Sequence, residues 1–293
     1  MRFTYAVPAG LLAASILFTG CASNNNDSNT SNNNSTNATN STAATNTAAA
    51  TTADFTSAVD QYRTYVIEQC DEFVKQTENF TNAVKEAKIE EAKALYAPAR
   101  MYYERIEPIA EALGDLDPNI DARENDVEAA EWRGFHKLEK ALWQDNTTKD
   151  MTEFADQLLK DAQLLRAKVE TVEIDANLLV TGAVELLNEV SSSKVTGEEE
   201  RYSHTDLYDF VANVEGAQKI YELLKPELAK EDAELEKTIG ERFAALQAEL
   251  APFKSGDGYV SYEELKEEDV RKLSQNLDAL AEPLSNMGTI LGV

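Results

Sequence analysis

Trp132-Arg133-Gly134-Phe135-His136-Lys137-Leu138-Glu139-Lys140-Ala141-Leu142-Trp143 decides how this chain is read. Phe135, Leu138 and Leu142 recur every three or four residues, the period of a helix with one buried face. On that helix His136 and Glu139 are i, i+3 neighbours, about one turn apart on one side. An imidazole nitrogen and a carboxylate oxygen presented together are half of a metal site. The competing reading is a solvated His and Glu on a helix surface, because the pattern is short and common. His136 is one of only two histidines in 293 residues, the other being His204.

Outward from this stretch the pattern stays helical. Phe55, Val59, Tyr62, Val66, Cys70 and Phe73 step by three or four and predict a first long helix. A second is predicted over residues 89–113, closed by Gly114, with Pro98 and Pro108 each expected to kink or interrupt it. Residues 115–119 read as a loop. Further helices are expected over 151–172, 178–190, 206–224 (ending before Pro226), 231–251 and 267–284, with a loop at 191–200. Strand-like alternation is almost absent. The expected fold class is all-α, built as two packed antiparallel helical-bundle halves.

The N-terminus reads differently. Arg2, an apolar run from Ala6 to Phe18 and Thr19-Gly20-Cys21 predict a lipoprotein signal peptide over residues 1–20, with Cys21 lipidated; a plain secretory signal is the alternative. Residues 21–53 are Asn, Thr, Ser and Ala almost throughout and are expected to form a disordered tether, since nothing in them buries apolar surface. The folded domain is expected over 54–293. These features place the protein on the extracytoplasmic face of a cell membrane, held by lipid. Cys70 has no internal disulfide partner if Cys21 carries lipid, and reads as a small buried residue. The net charge of −26 repels nucleic acid and attracts cations.

Other acids complete the candidate set. Glu104 and Glu107 repeat the i, i+3 geometry of His136 and Glu139, and Asp121 lies close in sequence to both pairs. Asp206, Asp209 and Glu215 follow His204, with Thr205 or Asp206 a candidate helix cap. Arg100 and Arg105 are expected to pair with these acids. Tyr102 and Tyr103 read as packing rings, a phenolate ligand for ferric iron being the alternative. Lys254-Ser255-Gly256-Asp257-Gly258 matches only the later half of a calcium loop. The positions that need oxygen ligands at its start fall on Phe253 and Ser255, so it reads as an exposed turn.

Several blocks in one order resemble the EfeO family of iron-uptake proteins, which share the imelysin-like domain and its GxHxxE motif. They are Leu95 to Arg100, Tyr103 to Ala110, Ile120 to Glu124, Gly134 to Trp143, Tyr202 to Phe210 and Ala212 to Lys219. The resemblance covers residue 54 to the C-terminus. It implies two bundle-like helical halves and an extracytoplasmic iron-binding component of an EfeUOB-like uptake system. That component would deliver iron to a membrane permease (EfeU-like) alongside a haem peroxidase (EfeB-like). It further implies that His136 and Glu139 carry the motif, with Glu104, Glu107, Asp121 and Glu215 at matching acidic positions. The longer family form has an N-terminal cupredoxin domain, where this chain has only the Asn/Thr-rich stretch.

The donor chemistry agrees with iron, a hard cation that favours carboxylate oxygens and tolerates imidazole; zinc or copper would also fit such a set. A second reading is a zinc-dependent peptidase of the imelysin type. It would require a third ligand and an open position for water, and no HExxH occurs. A third is a surface lipoprotein that binds polysaccharide through a bridging cation. The expectation drawn here is a binding protein and not an enzyme.

Overall fold

A computed structural model describes residues 54–293, all but the side chain of Glu111. The expected signal peptide, Cys21 and the tether lie outside the described residues.

Two bundles form the fold. The first contains α1 (Thr56–Lys85), α2 (Ile89–Glu104), a six-residue α3 (Leu116–Asp121), α4 (Phe135–Trp143) and α5 (Thr152–Lys168). The second contains α6 (Ala176–Ser192), α7 (Asp206–Glu231), α8 (Ala233–Leu250) and α9 (Glu267–Leu291). Helix α1 packs on α2 and α5, while α9 packs on α6 and α8; α2 against α7 joins the bundles. The period-3/4 stripe of α1 is buried as expected, from Tyr62 through Val66, Cys70 and Phe73 to Phe80. Among the described residues the only strands are a two-residue hairpin, Lys254–Ser255 with Gly258–Tyr259 (β1 and β2), where an exposed turn was expected. No described helix is long and apolar enough to cross a membrane.

Prolines account for most departures from the expected helix ends. Pro108 ends the second predicted helix early: α2 stops at Glu104, and Glu107–Leu113 continues as a 3-10 helix closed by Gly114 with φ +63°. Pro108 has no N–H to give the carbonyl of Glu104, four residues back. Asn213 of α7 donates its Nδ2 to that oxygen instead, at 3.0 Å. Pro98, Pro226 and Pro283 lie inside continuous helices. Helix α7 runs past Pro226 to Glu231, and α9 past residue 284 to Leu291. Leu228, Met287 and Leu291 beyond the prolines are buried, and their burial outweighs the lost hydrogen bonds. The expected loop at 115–119 instead lies mostly within α3.

Glycines let the second bundle close on the break after α2. A Cβ on Gly182 of α6 would lie 1.8 Å from the Pro108 carbonyl oxygen, and one on Gly216 of α7 2.4 Å from that of Arg105. The acids beside that break therefore face α6 and α7 at the junction of the bundles.

Candidate metal centre

Gly134 positions His136. It precedes α4 with φ +92°, and a Cβ there would sit 2.2 Å from the carbonyl oxygen of Ile120. Only glycine accepts both conditions, and the result brings the start of α4 against the residue before Asp121. His136 and Glu139 then project from the first turns of α4 into the junction, both fully buried.

Two groups of ligand-type atoms share His136. Its Nδ1 lies 3.1 Å from Glu139 Oε2, and Glu200 joins that side; its Nε2 lies 3.5 Å from Asp121 Oδ1 and 3.7 Å from Glu199 Oε1. Glu139 Oε1 accepts the backbone N–H groups of Tyr202 and Ser203 at 2.9 and 2.8 Å. Glu200 accepts from the Tyr96 hydroxyl at 3.3 Å and from Ser203 Oγ at 2.9 Å, and its Oε1 lies 2.6 Å from Arg100 Nε. His136 Nε2 is buried without a hydrogen bond.

Arg100 organises the carboxylates. Its guanidinium is fully buried between Asp121, Glu104 (2.5 Å), Glu200 and Asp209 (3.3 Å), drawn from α2, α3, α7 and the loop before α7. The Tyr96 and Phe135 rings lie 5.9 and 5.6 Å from it. Lys194, also buried, places its Nζ 2.9 Å from Glu107 and 3.2 Å from Glu104, while Asn213 Nδ2 donates to the same two carboxylates.

The environments pull the acids apart. Burial works against the charge of Asp121, but the Arg100 guanidinium more than offsets it and holds the carboxyl well below the usual range. Burial opposes Glu199 too; Lys194 and His136 bring it down to about 2. Glu139 is also lowered, its buried carboxylate held by His136 and by two backbone N–H groups. Glu200, Asp209 and Glu107 go the other way, because burial outweighs their cationic partners. Burial and Arg100 disfavour charge on His136, yet Asp121, Glu139 and Glu199 hold its pKa well above the ordinary value. Lys194 stays charged despite burial, because Glu104 and Glu107 surround it.

A cleft of about 450 Å³ opens beside the centre. Glu107, Asp121, Asp126, Glu185, Glu189 and Glu199 line it, with Arg123 and Lys194 as its basic side chains. Acids thus outnumber bases on the path from solvent to Asp121 and Glu199, which suits a cation.

Of the residues singled out in the sequence, the structure gathers His136, Glu139, Asp121, Glu104 and Glu107. Glu104 and Glu107 are engaged by Arg100, Lys194 and Asn213 rather than by the imidazole. Glu215 requires a correction: its carboxylate is half exposed and pairs with Arg105 at 2.7 Å, away from the cluster. Asp209 and Asn213 define the inward face of α7, and Glu215 lies two residues beyond Asn213, about 200° around the helix. Tyr102 and Tyr103 stay outside as well: Tyr103 donates to Asp117 at 2.5 Å, and Tyr102 lies under Arg105; the phenol at the centre is that of Tyr96, 3.4 Å from His136 Nδ1. Sequence reasoning missed Lys194, Glu199 and Glu200. The one signal was the run Glu198-Glu199-Glu200 directly before Tyr202-Ser203-His204.

Fold and centre together define an all-α protein with an imidazole and several carboxylates enclosed where two bundles meet. The chain belongs to the imelysin family, whose sequence model, labelled as a peptidase family, matches residues 58–287. An Efem/EfeO family lipoprotein of Staphylococcus haemolyticus (strain JCSC1435) is 47% identical over 289 residues, spanning 97% of this chain and 98% of its own length. One of Staphylococcus aureus (strain NCTC 8325 / PS 47) is 50% identical over 244 residues, spanning 81% of this chain and 86% of its own length.

Proposed function

We propose that this protein is an extracytoplasmic, lipid-anchored iron-binding component of an EfeUOB-like uptake system, delivering iron to an EfeU-like membrane permease with an EfeB-like haem peroxidase as a further partner. In this reading residues 1–20 are removed, Cys21 carries the lipid, and residues 21–53 tether the domain to the membrane. Iron is cargo, held at the His136 cluster.

The observation that carries the reading is His136 Nε2: buried, without a hydrogen bond, and facing two carboxylates at the edge of an acidic cleft. A buried imidazole nitrogen left without a partner is costly unless something fills its place. Carboxylate oxygens with one imidazole suit iron better than they suit softer ions. The lipoprotein name of the relatives supports the anchor. The peptidase reading draws only on the family's label.

Calorimetric titration of the purified chain with ferric citrate, with ferrous ion under anaerobic conditions and with zinc tests the proposal. The expected outcome is one iron per chain, bound in preference to zinc and lost in His136→Ala. Iron binding that survives His136→Ala, or no iron binding at all, would overturn it.

A further inference from the structure

The histidine and the glutamate of the motif invite the view that both grip the same ion. The hydrogen bonds around them assign different roles. Both oxygens of Glu139 are engaged. Oε1 accepts two backbone N–H groups, from Tyr202 and Ser203, and Oε2 lies 3.1 Å from His136 Nδ1. A carboxylate so held is an acceptor, so the proton of that contact belongs to Nδ1; the Tyr96 hydroxyl, 3.4 Å from the same nitrogen, gives its own proton to Glu200 Oε1. A metal replaces the proton on Nε2, the nitrogen turned away from Glu139, and leaves the one on Nδ1 in place.

Nε2 is the nitrogen without a hydrogen bond. The carboxylates on its side are also the less committed ones. Arg100 holds Asp121 through Oδ1, and Arg123 holds Glu199 through Oε2 at 3.0 Å. Among the described residues, no donor is hydrogen-bonded to Asp121 Oδ2 or Glu199 Oε1. On the Nδ1 side Glu200 is engaged through both oxygens by Arg100, Tyr96 and Ser203. Access separates the two sides again. Asp121 and Glu199 line the cleft, whereas Glu139 and Glu200 are fully buried and do not.

We infer that the ion is bound on the Nε2 side of His136, by Asp121, Glu199 and the imidazole, and that Glu139 is a positioning residue that never ligates it. Glu139 acts twice. It fixes the ring through Nδ1–H, and through two backbone N–H groups it pins the segment that follows Glu199. A carboxylate behind a ligating histidine is a common arrangement because it orients the ring and strengthens the nitrogen as a donor. This inference rests on the proposed cation binding but goes past it, by choosing one of two faces and by moving the motif glutamate out of the ligand set.

The test uses the purified chain labelled with 15N at histidine, in which only His136 and His204 contribute signals. Zinc is the probe because it is diamagnetic. Long-range 1H–15N correlation spectra before and after one equivalent of zinc identify the nitrogen that gains the metal. The expected result is zinc on Nε2 of His136 with Nδ1 still protonated. Zinc on Nδ1, or on neither nitrogen of His136, overturns the assignment, and this readout on the unmutated chain does not depend on any variant folding. Among variants, Asp121→Asn and Glu199→Gln are each expected to cost more zinc affinity than Glu139→Gln, which should lose about 10- to 100-fold. Glu139→Gln should also weaken the Nδ1–H signature, which a merely structural glutamate would not do. A Glu139→Gln that binds no zinc while keeping its circular dichroism spectrum overturns the positioning role. Zinc on Nε2 without preference for iron would sink the iron-uptake reading and leave this one standing; iron preference with metal on Nδ1 would do the reverse.

Discussion

Helices α2 and α9 are alike in outline and opposite in content. Each is long, each has a proline in its interior, and each buries one stripe. The stripe of α9 is Leu273, Leu277, Leu280, Leu284 and Met287, with no charge in it. That of α2 holds Tyr96, Arg100, Tyr103 and Glu104. The positions are equivalent, so periodicity treats them alike, but the energetics differ. A buried leucine is stabilising through the water it leaves; a buried guanidinium is tolerated only because four carboxylates surround it. Apolar residues of similar size would hold α2 at least as well. Charges kept at core positions against that gradient are not explained by the fold, and the proposed cation site would account for them.

Breaking each stripe sharpens the contrast. Arg100→Met leaves Asp121, Glu104, Glu200 and Asp209 buried without their cation and is expected to cost about 3–5 kcal/mol. Leu277→Ala removes packing from a fully buried site and is expected to cost about 2–5 kcal/mol. The sizes overlap, and pH tells them apart. Acidification from about pH 7 toward pH 4.5 protonates the stranded acids, so the Arg100→Met loss should shrink while the Leu277→Ala loss holds. Urea unfolding of the metal-free variants at both pH values measures this. A pH-independent Arg100→Met loss would mean that the two stripes do the same job.

The unmodified protein offers a smaller version of the same test. Glu200, Glu107 and Asp209 have raised pKa values in the fold. Burial in the charged form is unfavourable for them, so they destabilise the fold at high pH, and that effect is removed as pH falls through their raised values. His136 is raised as well. Its contribution is fully present below the ordinary value of 6.5 and is lost as pH rises through the folded value. Asp121 and Glu199 are lowered. Their contribution is present above the ordinary carboxylate values and is lost as pH falls, for Glu199 toward about 2. The metal-free chain should therefore melt higher near about pH 5 than near about pH 8, by roughly 2–4 °C per kcal/mol, and fall again below about pH 4. A thermal scan with chelator across that range that shows a flat plateau or an optimum near pH 8 would contradict the assigned directions.

The same contrast explains what the sequence disclosed. Helices were legible because burial at three- and four-residue spacing needs only local pattern, and this holds equally for α1, α2 and α9. Helix ends were less so. Whether a proline stops a helix depends on what lies beyond it, and Leu228 and Met287 find a core that no local window contains. The six-residue α3, with Pro118 inside it, is too short to show a period. At the centre, His136 and Glu139 stood out because histidine is scarce here, and Glu104 because it repeats their spacing. Glu199 and Glu200 did not, since a run of three glutamates in a loop looks the same whether water or Arg100 neutralises it. Lys194 was hidden for that reason too. Only the approach of α2 to α7 makes these charges internal.

Glu215 gives the smallest effect, and its size is what the placement predicts. It shares a helix with Asp209 and Asn213, but its carboxylate is half exposed and meets Arg105 on the far side of α7 from the cluster. An exposed ion pair is screened by water and salt, and holding both side chains in place costs entropy. Glu215→Gln should therefore change unfolding free energy by about 0.5 kcal/mol or less and leave metal affinity within about twofold, since its charge is remote and solvated. Urea unfolding and the calorimetric titration give both numbers. A large loss of metal affinity with unchanged stability would move Glu215 to the ligand side, and the division of α7 into a site face and a solvent face would fall with it.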